Sequence, residues 1–335
     1  MESTTLGRGG PVVSRMGLGL MGMSGTYGPA DDIESIATIH TAIDAGITLL
    51  DTGDFYGMGH NEMLLANALR EVRRDSVFIQ VKFGAQRDPA GRFVGHDASP
   101  AAVKTWLAYS LRRLGTDYVD LYQPARLDPH VPIEDTVGAI AELIAAGYVR
   151  YAGLSEVGAD TIRRAQAVHP IAALQIEYSL MSRGVEGSLL PFVREQGMAV
   201  TAYGVLSRGL LSPATARLAG PADPRTRFPR FRDRNLERNL GLVTALEQIA
   251  AQRRATAAQL AIAWVLARGS DIIPLIGTKR RDRLAEALGA LELTLTADEL
   301  AAIESAVPVG AVAGDRYDEA GMAVLDSEQS AAAGS

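Results

Sequence analysis

Cysteine is absent from all 335 residues. That absence removes disulfides, thiolate metal sites and cysteine nucleophiles together. No metal site is expected. Positive charge is also in deficit: 33 Lys and Arg stand against 39 Asp and Glu, a net charge of −6. A chain of that sign lacks the field on which bulk nucleic-acid binding relies, so no nucleic-acid partner is expected. No apolar run reaches the roughly 20 residues of a spanning helix, so no membrane partner is expected. Residues 1–10 carry no apolar h-region, and we expect a cytoplasmic protein. Apolar residues make up 47% of the chain, enough for a large core.

Strand-like and helix-like segments alternate along the chain. Strands are predicted at residues 15–20, 47–50, 77–81, 118–122, 148–154, 172–176, 198–202 and 271–276. Each is followed by helical spacing with recognisable ends. Asp31 and Asp32 offer an N-cap, and Ile33, Ile36, Ile39 and Ile43 run at helical period to Gly46. Ser99-Pro100 is a cap with a first-turn proline, and Gly115 closes that helix. Further helices are predicted at 61–69, 132–147, 160–168, 186–196, 239–252, 256–268 and 280–288. Thr296-x-x-Glu299 is a capping box for one more. Alternating βα units imply a parallel sheet, and eight of them favour a closed (β/α)8 TIM barrel over a doubly wound open sheet. The expected organisation is one catalytic domain over residues 1–325 and a loosely held tail, 326–335.

Two features need separate weighing. Gly17-Leu-Gly19-Leu-Met-Gly22 matches a dinucleotide fingerprint after a strand, but Ser24 to Pro29 cannot open a helix, so close packing of the glycines is the better reading. The connection 212–238 holds Pro213, Pro221, Pro224 and Pro229 and arginines 217, 225, 227, 230, 232, 234 and 238. It is either a solvated basic flap or a lid over an anionic ligand.

The chemical signal lies at the strand ends. Asp51 ends the second strand, Tyr56 follows it, and Lys82 ends the third. A lysine after an apolar strand needs an anionic partner, which Asp51 supplies if both strands end at one rim. Tyr56 beside that lysine is expected to have a lowered pKa and to donate a proton to a carbonyl.

With these residues in place the chain resembles the aldo-keto reductases, over about residues 14–325. Asp51-Thr-Gly-Asp-Phe-Tyr56-Gly57 resembles the family's first signature, and Lys82 its lysine. The resemblance implies the barrel, bound NADPH without a Rossmann fold, and a small-molecule carbonyl substrate, an aldehyde or ketone. It implies cofactor contacts from Gly22 and Met23, and from Ser155 and Gln175 on the nicotinamide carboxamide. Glu156 is expected to be a further cofactor contact, standing where relatives usually carry Asn. Tyr203, with Gly204, matches the aromatic that stacks on the nicotinamide. Leu206, Arg208 and Gly209 resemble the pyrophosphate loop, and Gly277, Thr278, Lys279, Arg283 and Glu286 the adenosine 2′-phosphate site. Ala287 replaces an Asn often found on the adenine. One departure concerns catalysis: in Asp120-Leu-Tyr-Gln-Pro-Ala125-Arg126, Ala125 occupies the family histidine's position. Gln123, Arg126 or a water are the candidates to offset it, and Met58-Gly-His60 is a weaker candidate for reaching the substrate. The substrate pocket is expected from residues 22–29, 86–97, 126–132 and 312–324. A rival reading is an NADPH-binding redox sensor or regulator with little turnover.

Overall fold

The computed structural model describes residues 1–212, 218, 220 and 223–328. Eight parallel strands form the closed barrel: β1 (Gly17–Gly19), β2 (Leu49–Gly53), β3 (Phe78–Phe83), β4 (Val119–Pro124), β5 (Val149–Ser155), β6 (Ile171–Glu177), β7 (Ala199–Tyr203) and β8 (Ile272–Gly277). They pair in chain order, and β8 returns to β1. The TIM barrel expected from the sequence is therefore the fold.

The helices follow from caps and spacing. In α1 (Asp32–Asp44) the Asp31 carboxylate accepts from the amides of Ile33 and Glu34 at 2.8 and 3.1 Å, satisfying donors that a helix start leaves free. α2 is His60–Ala68. α3 (Pro100–Leu114) has Ser99 as N-cap and ends at Gly115 in the left-handed conformation. α4 (Ile133–Ala145), α5 (Ala159–Val168) and α6 (Leu189–Glu195) cover the next strands. α7 is Asp233–Gln252, α8 Ala257–Ala267 and α9 Arg281–Leu288. α10 (Ala297–Ala306) opens with the predicted capping box, and α11 (Glu319–Ala323) follows. Two expectations need correction. Helix α7 begins six residues before the predicted start, which shortens the irregular connection. The helix predicted from 186 is a turn at Gly184–Glu186 followed by a shorter α6.

Two cores hold the barrel. The larger lies between strands and helices and includes Trp264, Ile39, Val103, Ile140 and Leu246. Burying an aliphatic side chain of this kind contributes roughly 1.5–3 kcal/mol. The smaller fills the interior at the amino end with Leu49, Phe78, Leu121 and Ile273. It is closed by Leu6 and Val13 from an antiparallel hairpin of Ser3–Thr5 with Val12–Ser14, which the sequence reading missed. A second hairpin, Ala85–Arg87 with Phe93–His96, follows β3 at the opposite end. The glycine fingerprint is structural. β1 runs into a short turn at Met21–Ser24, and a Cβ on Gly17 would lie 2.6 Å from Leu49 and Leu275 side-chain carbons.

Candidate active site

Parallel register decides which side chains share the carboxyl rim. Lys82 pairs with Gly53 across β2 and β3. Period-two alternation then sets Asp51 on the same inward face. The result is a buried ion pair, with Lys82 Nζ 2.6 Å from Asp51 Oδ1. The same oxygen accepts from Gln80 Nε2 at 3.1 Å and Gln175 Nε2 at 2.9 Å. Gln175 Oε1 in turn accepts from Gln123 Nε2 at 3.1 Å. Three side chains from two strands, β3 and β6, thus surround one carboxylate with donors, which offsets the desolvation a buried charge carries. Tyr56 stands in the turn after β2, its ring centroid 5.1 Å from Lys82 Nζ. Phe55 packs edge-on against it at 4.8 Å.

The expected lowering of the Tyr56 pKa is corrected. Burial pushes the phenol well above its ordinary value, and the Asp51 charge adds to the rise. Only Arg126, among the leading influences, pulls it down. Burial also lowers Lys82, against the pull of Asp51. Tyr56 is thus a neutral phenol that holds a proton to give.

Beyond β4, Ala125 is buried at 4% exposure, and its amide donates to Phe83 O at 2.8 Å. The half-buried Arg126 folds back so that Nη1 donates to Ala125 O at 2.6 Å and Nη2 to Tyr317 Oη at 3.3 Å. His60 is turned away from this centre: Nδ1 lies 3.0 Å from Ser24 Oγ and Nε2 3.3 Å from Asp32. His40 Nε2 lies 2.7 Å from Ala68 O and His169 Nδ1 2.9 Å from Pro170 O, while His130 donates to Asp128 through its backbone amide.

A second cluster closes the rim over β5 and β6. Glu156 takes positive φ at the end of β5. Its carboxylate receives Arg316 through both oxygens at 2.7 and 2.6 Å, Tyr203 Oη at 2.7 Å, Ser327 Oγ at 2.9 Å and the Glu177 amide at 3.0 Å. Burial raises its pKa, but the Arg316 contacts prevail and hold it at about 2. Glu177 is ringed by Ser182 at 2.7 Å, Arg230 at 3.3 Å, Arg208 at 3.4 Å and Arg316 at 3.7 Å. Asp326 accepts from the Gly158 amide and Glu328 pairs with Arg316, so residues 326–328 of the expected loose tail are anchored. Residues 329–335 lie outside the described residues.

Arg225 is bonded to Asp223, Arg227 lies over the Phe228 ring and Arg230 reaches Glu177. This part of the long connection is a strap pinned to the rim rather than a solvated flap. Pro213, Arg217 and Pro221 lie outside the described residues.

The polar atoms around this rim fit a nicotinamide dinucleotide. Ser155 Oγ and Ser207 Oγ are buried with no hydrogen-bond partner, and so is Gln123 Oε1. Buried polar atoms are rarely left unpaired unless something supplies the partner. Tyr203 is half-buried on β7, paired with β6, and Gln175 of β6 is in register with Ser155 of β5. Gln175 keeps one amide hydrogen and one lone pair beyond the contacts described. Glu156 is different: its oxygens are filled by the C-terminal segment. Gly204 at φ +68 has Glu177 Cγ 2.9 Å from where a Cβ would sit, so only glycine fits there. Ser207, Arg208 and Gly209 also have positive φ, a run of strained backbone in the turn around Leu206. Met23 is fully buried in the core, so only backbone is left for a ligand there, beside Gly22. At the far end, exposed Gly277 leads to Thr278, and Lys279 Nζ donates to Gly28 O at 3.1 Å and Pro29 O at 2.5 Å. Arg283 pairs with Glu286 at 2.9 Å in the first turns of α9.

Several of these residues escaped the sequence reading. Gln80 and Glu177 lie two positions from Lys82 and Gln175, so strand alternation carried a usable signal. Arg316 and Tyr317 sit in an irregular segment with no period to mark them, whereas Arg230 belongs to the basic connection already singled out.

Comparison with known proteins follows this geometry. The Aldo/keto reductase family model matches residues 15–308. A Glycine max protein named Probable aldo-keto reductase 1 is 40% identical over 321 residues, covering 95% of this chain and 92% of that protein. The solved glycerol dehydrogenase of Gluconobacter oxydans superposes with a TM-score of 0.82 at 28% identity, covering 91% of this chain and 94% of that one. The holo form of a Bacillus halodurans aldo-keto reductase gives 0.76 at 29% identity, covering 92% and 97%.

Proposed function

Since the chain belongs to the aldo-keto reductase family, we propose that it reduces an aldehyde or ketone to an alcohol, with Tyr56 as general acid and NADPH as reductant. The observation that carries the reading is the buried Lys82–Asp51 pair set beneath the Tyr56 ring. The dinucleotide supplies the hydride for the carbonyl carbon. Tyr56 gives its proton to the carbonyl oxygen, forming the alcohol and leaving a phenolate that water reprotonates. Giving up that proton puts negative charge in a buried setting, where the neighbouring ammonium of Lys82 favours it. Asp51, fixed by Gln80 and Gln175, keeps Lys82 in place and opposes the loss of its charge on burial.

Ser155 and Gln175 would hold the carboxamide, Tyr203 the face of the ring, and Leu206 to Gly209 the pyrophosphate. Lys279 and Arg283, at the start of α9, would take a 2′-phosphate, since cations and a helix N-terminus together suit a phosphomonoester. Glu156 anchors the C-terminal segment. The missing histidine removes a donor of a kind whose loss typically costs about 2.7–4 kcal/mol in the transition state. Gln123 gives one amide hydrogen to Gln175 and keeps a second, beside an unpaired Oε1.

The test is steady-state oxidation of NADPH with an aldehyde panel, run in parallel with NADH. Wild type is expected to turn over, with NADPH preferred. Tyr56→Phe should lower kcat by about 10²–10⁴-fold while leaving the NADPH dissociation constant nearly unchanged. Wild-type turnover in Tyr56→Phe would refute the mechanism. Tight NADPH binding with no turnover on any carbonyl compound would favour the regulatory reading.

A further inference from the structure

Charges around the mouth divide unevenly. Lys82 is matched by Asp51, Arg316 by Glu156, and Arg208 and Arg230 share Glu177. Arg126 is not matched in this way: among the described residues it has no carboxylate within ion-pair distance. Its recorded hydrogen bonds are to a carbonyl oxygen and a phenol, both neutral. Its guanidinium also lies 5.8 Å from the Tyr317 ring centroid. A guanidinium carries five N–H donors in a rigid fork, so donors remain beyond these two contacts.

Position makes the surplus charge pertinent. Arg126 directly follows Ala125, the position from which the family histidine would face the carbonyl. Its charge acts on Tyr56 and Lys82, and on His96 of the hairpin after β3. Its bond to Tyr317 joins two of the segments expected to line the pocket, 126–132 and 312–324. Arg208, by contrast, belongs to the turn proposed for the pyrophosphate. A dinucleotide bound there would take up Arg208, and the carboxylate among the leading influences on Arg126, Glu156, is already filled by Arg316.

We infer that Arg126 is an anion-recognition residue of the substrate pocket, and that the preferred substrate is a carbonyl compound carrying a carboxylate or phosphate. The planar fork matches either group in bidentate geometry. Substitution of the histidine by Ala125 gives the guanidinium room beside the reacting centre. Binding energy from the remote anion then orients the carbonyl toward Tyr56, which offsets the lost donor. This inference deepens the carbonyl-reduction reading and rests on it.

The test compares matched pairs: 4-carboxybenzaldehyde with its neutral methyl ester, and glyceraldehyde 3-phosphate with glyceraldehyde. Wild type should show kcat/KM higher for at least one charged member by about 10- to 100-fold. Which pair shows it separates carboxylate from phosphate. Arg126→Met should collapse that ratio toward one, mainly through KM, and Arg126→Lys should retain part of it. Tyr317→Phe removes the phenol that Arg126 holds and should leave the ratio standing. Equal rates for charged and neutral members in wild type overturn the inference. So does a ratio that survives in Arg126→Met, or one that falls equally in Tyr317→Phe, which would make Arg126 a structural tie. If no compound supports NADPH oxidation, the reductase reading fails by itself. Calorimetric titration of wild type and Arg126→Met with 4-carboxybenzaldehyde and its ester then decides the anion site. Arg126-dependent binding of the acid alone sustains it, and equal binding or none overturns it.

Discussion

Asp54 offers a test of the electrostatics behind the site that needs no substrate. It follows β2, and burial, reinforced by the nearby Glu62, lifts its carboxyl from the usual 3.8 to about 7. Arg113 and the amides of Phe55 and Gly84 oppose the rise without cancelling it. Below about pH 4 the folded and unfolded chains both hold the proton, and no penalty exists. Between about 4 and 7 the unfolded chain releases a proton that the folded chain keeps, so stability falls as pH rises. Above 7 the folded carboxyl ionises too and the penalty levels off. The interval is worth about 4 kcal/mol at most. Asp54→Asn keeps the shape and the acceptor for the two amides but cannot ionise. Its stability advantage over wild type should be small at pH 4 and should grow by up to about 4 kcal/mol by pH 8. Urea unfolding followed by circular dichroism at several pH values measures the difference. A difference that is flat with pH, or wild type gaining on the variant toward pH 8, would refute the assignment.

Lys82→Met should abolish most turnover and destabilise the fold by about 3–5 kcal/mol, because it strands a buried carboxylate; adding Asp51→Asn should recover stability in urea unfolding but not activity. Arg316→Met leaves Glu156 without its bidentate partner and should cost a similar amount, with limited proteolysis showing earlier cleavage within residues 312–328. Ala125→His should raise KM for a bulky carbonyl compound, since an imidazole would fill the space beside Arg126. Steady-state kinetics with one small and one large substrate check this, and an unchanged KM for the large one would count against it.

The barrel was legible because its strands and helices carry two different periods and most helix ends carry caps or glycines. Asp51, Tyr56 and Lys82 were legible for a related reason: each stands at or just beyond a strand end, and a lysine there needs an anion. What the sequence did not disclose depends on chain segments with no period. The hairpin bearing Leu6 and Val13 closes the interior with short strands flanked by glycines. The direction of the Tyr56 shift depends on how much water the fold removes, which spacing along the chain does not encode. The Glu156 departure looked like a change in a ligand contact. Its meaning came only with Arg316, which lies 160 positions further on and reaches it through a loop.

That separation bears on how a newly made chain acquires its site. Synthesis proceeds from the N-terminus, and β5 and β6 leave the ribosome long before Arg316 and Ser327 do. Until then Glu156 has no guanidinium to receive, and Glu177 has only Arg208 and Arg230. Closing the rim over two carboxylates that lack this counter-charge would be unfavourable, so the mouth of a nascent barrel stays hydrated while the rest of its core is already able to pack. The segment around residue 316 brings Arg316 and Tyr317 together, neutralising Glu156 and fastening the phenol to Arg126. Closure of this mouth is thereby deferred until residues 316–328 have been made, and a chain cut short before Arg316 is expected to leave Glu156 without its counter-charge.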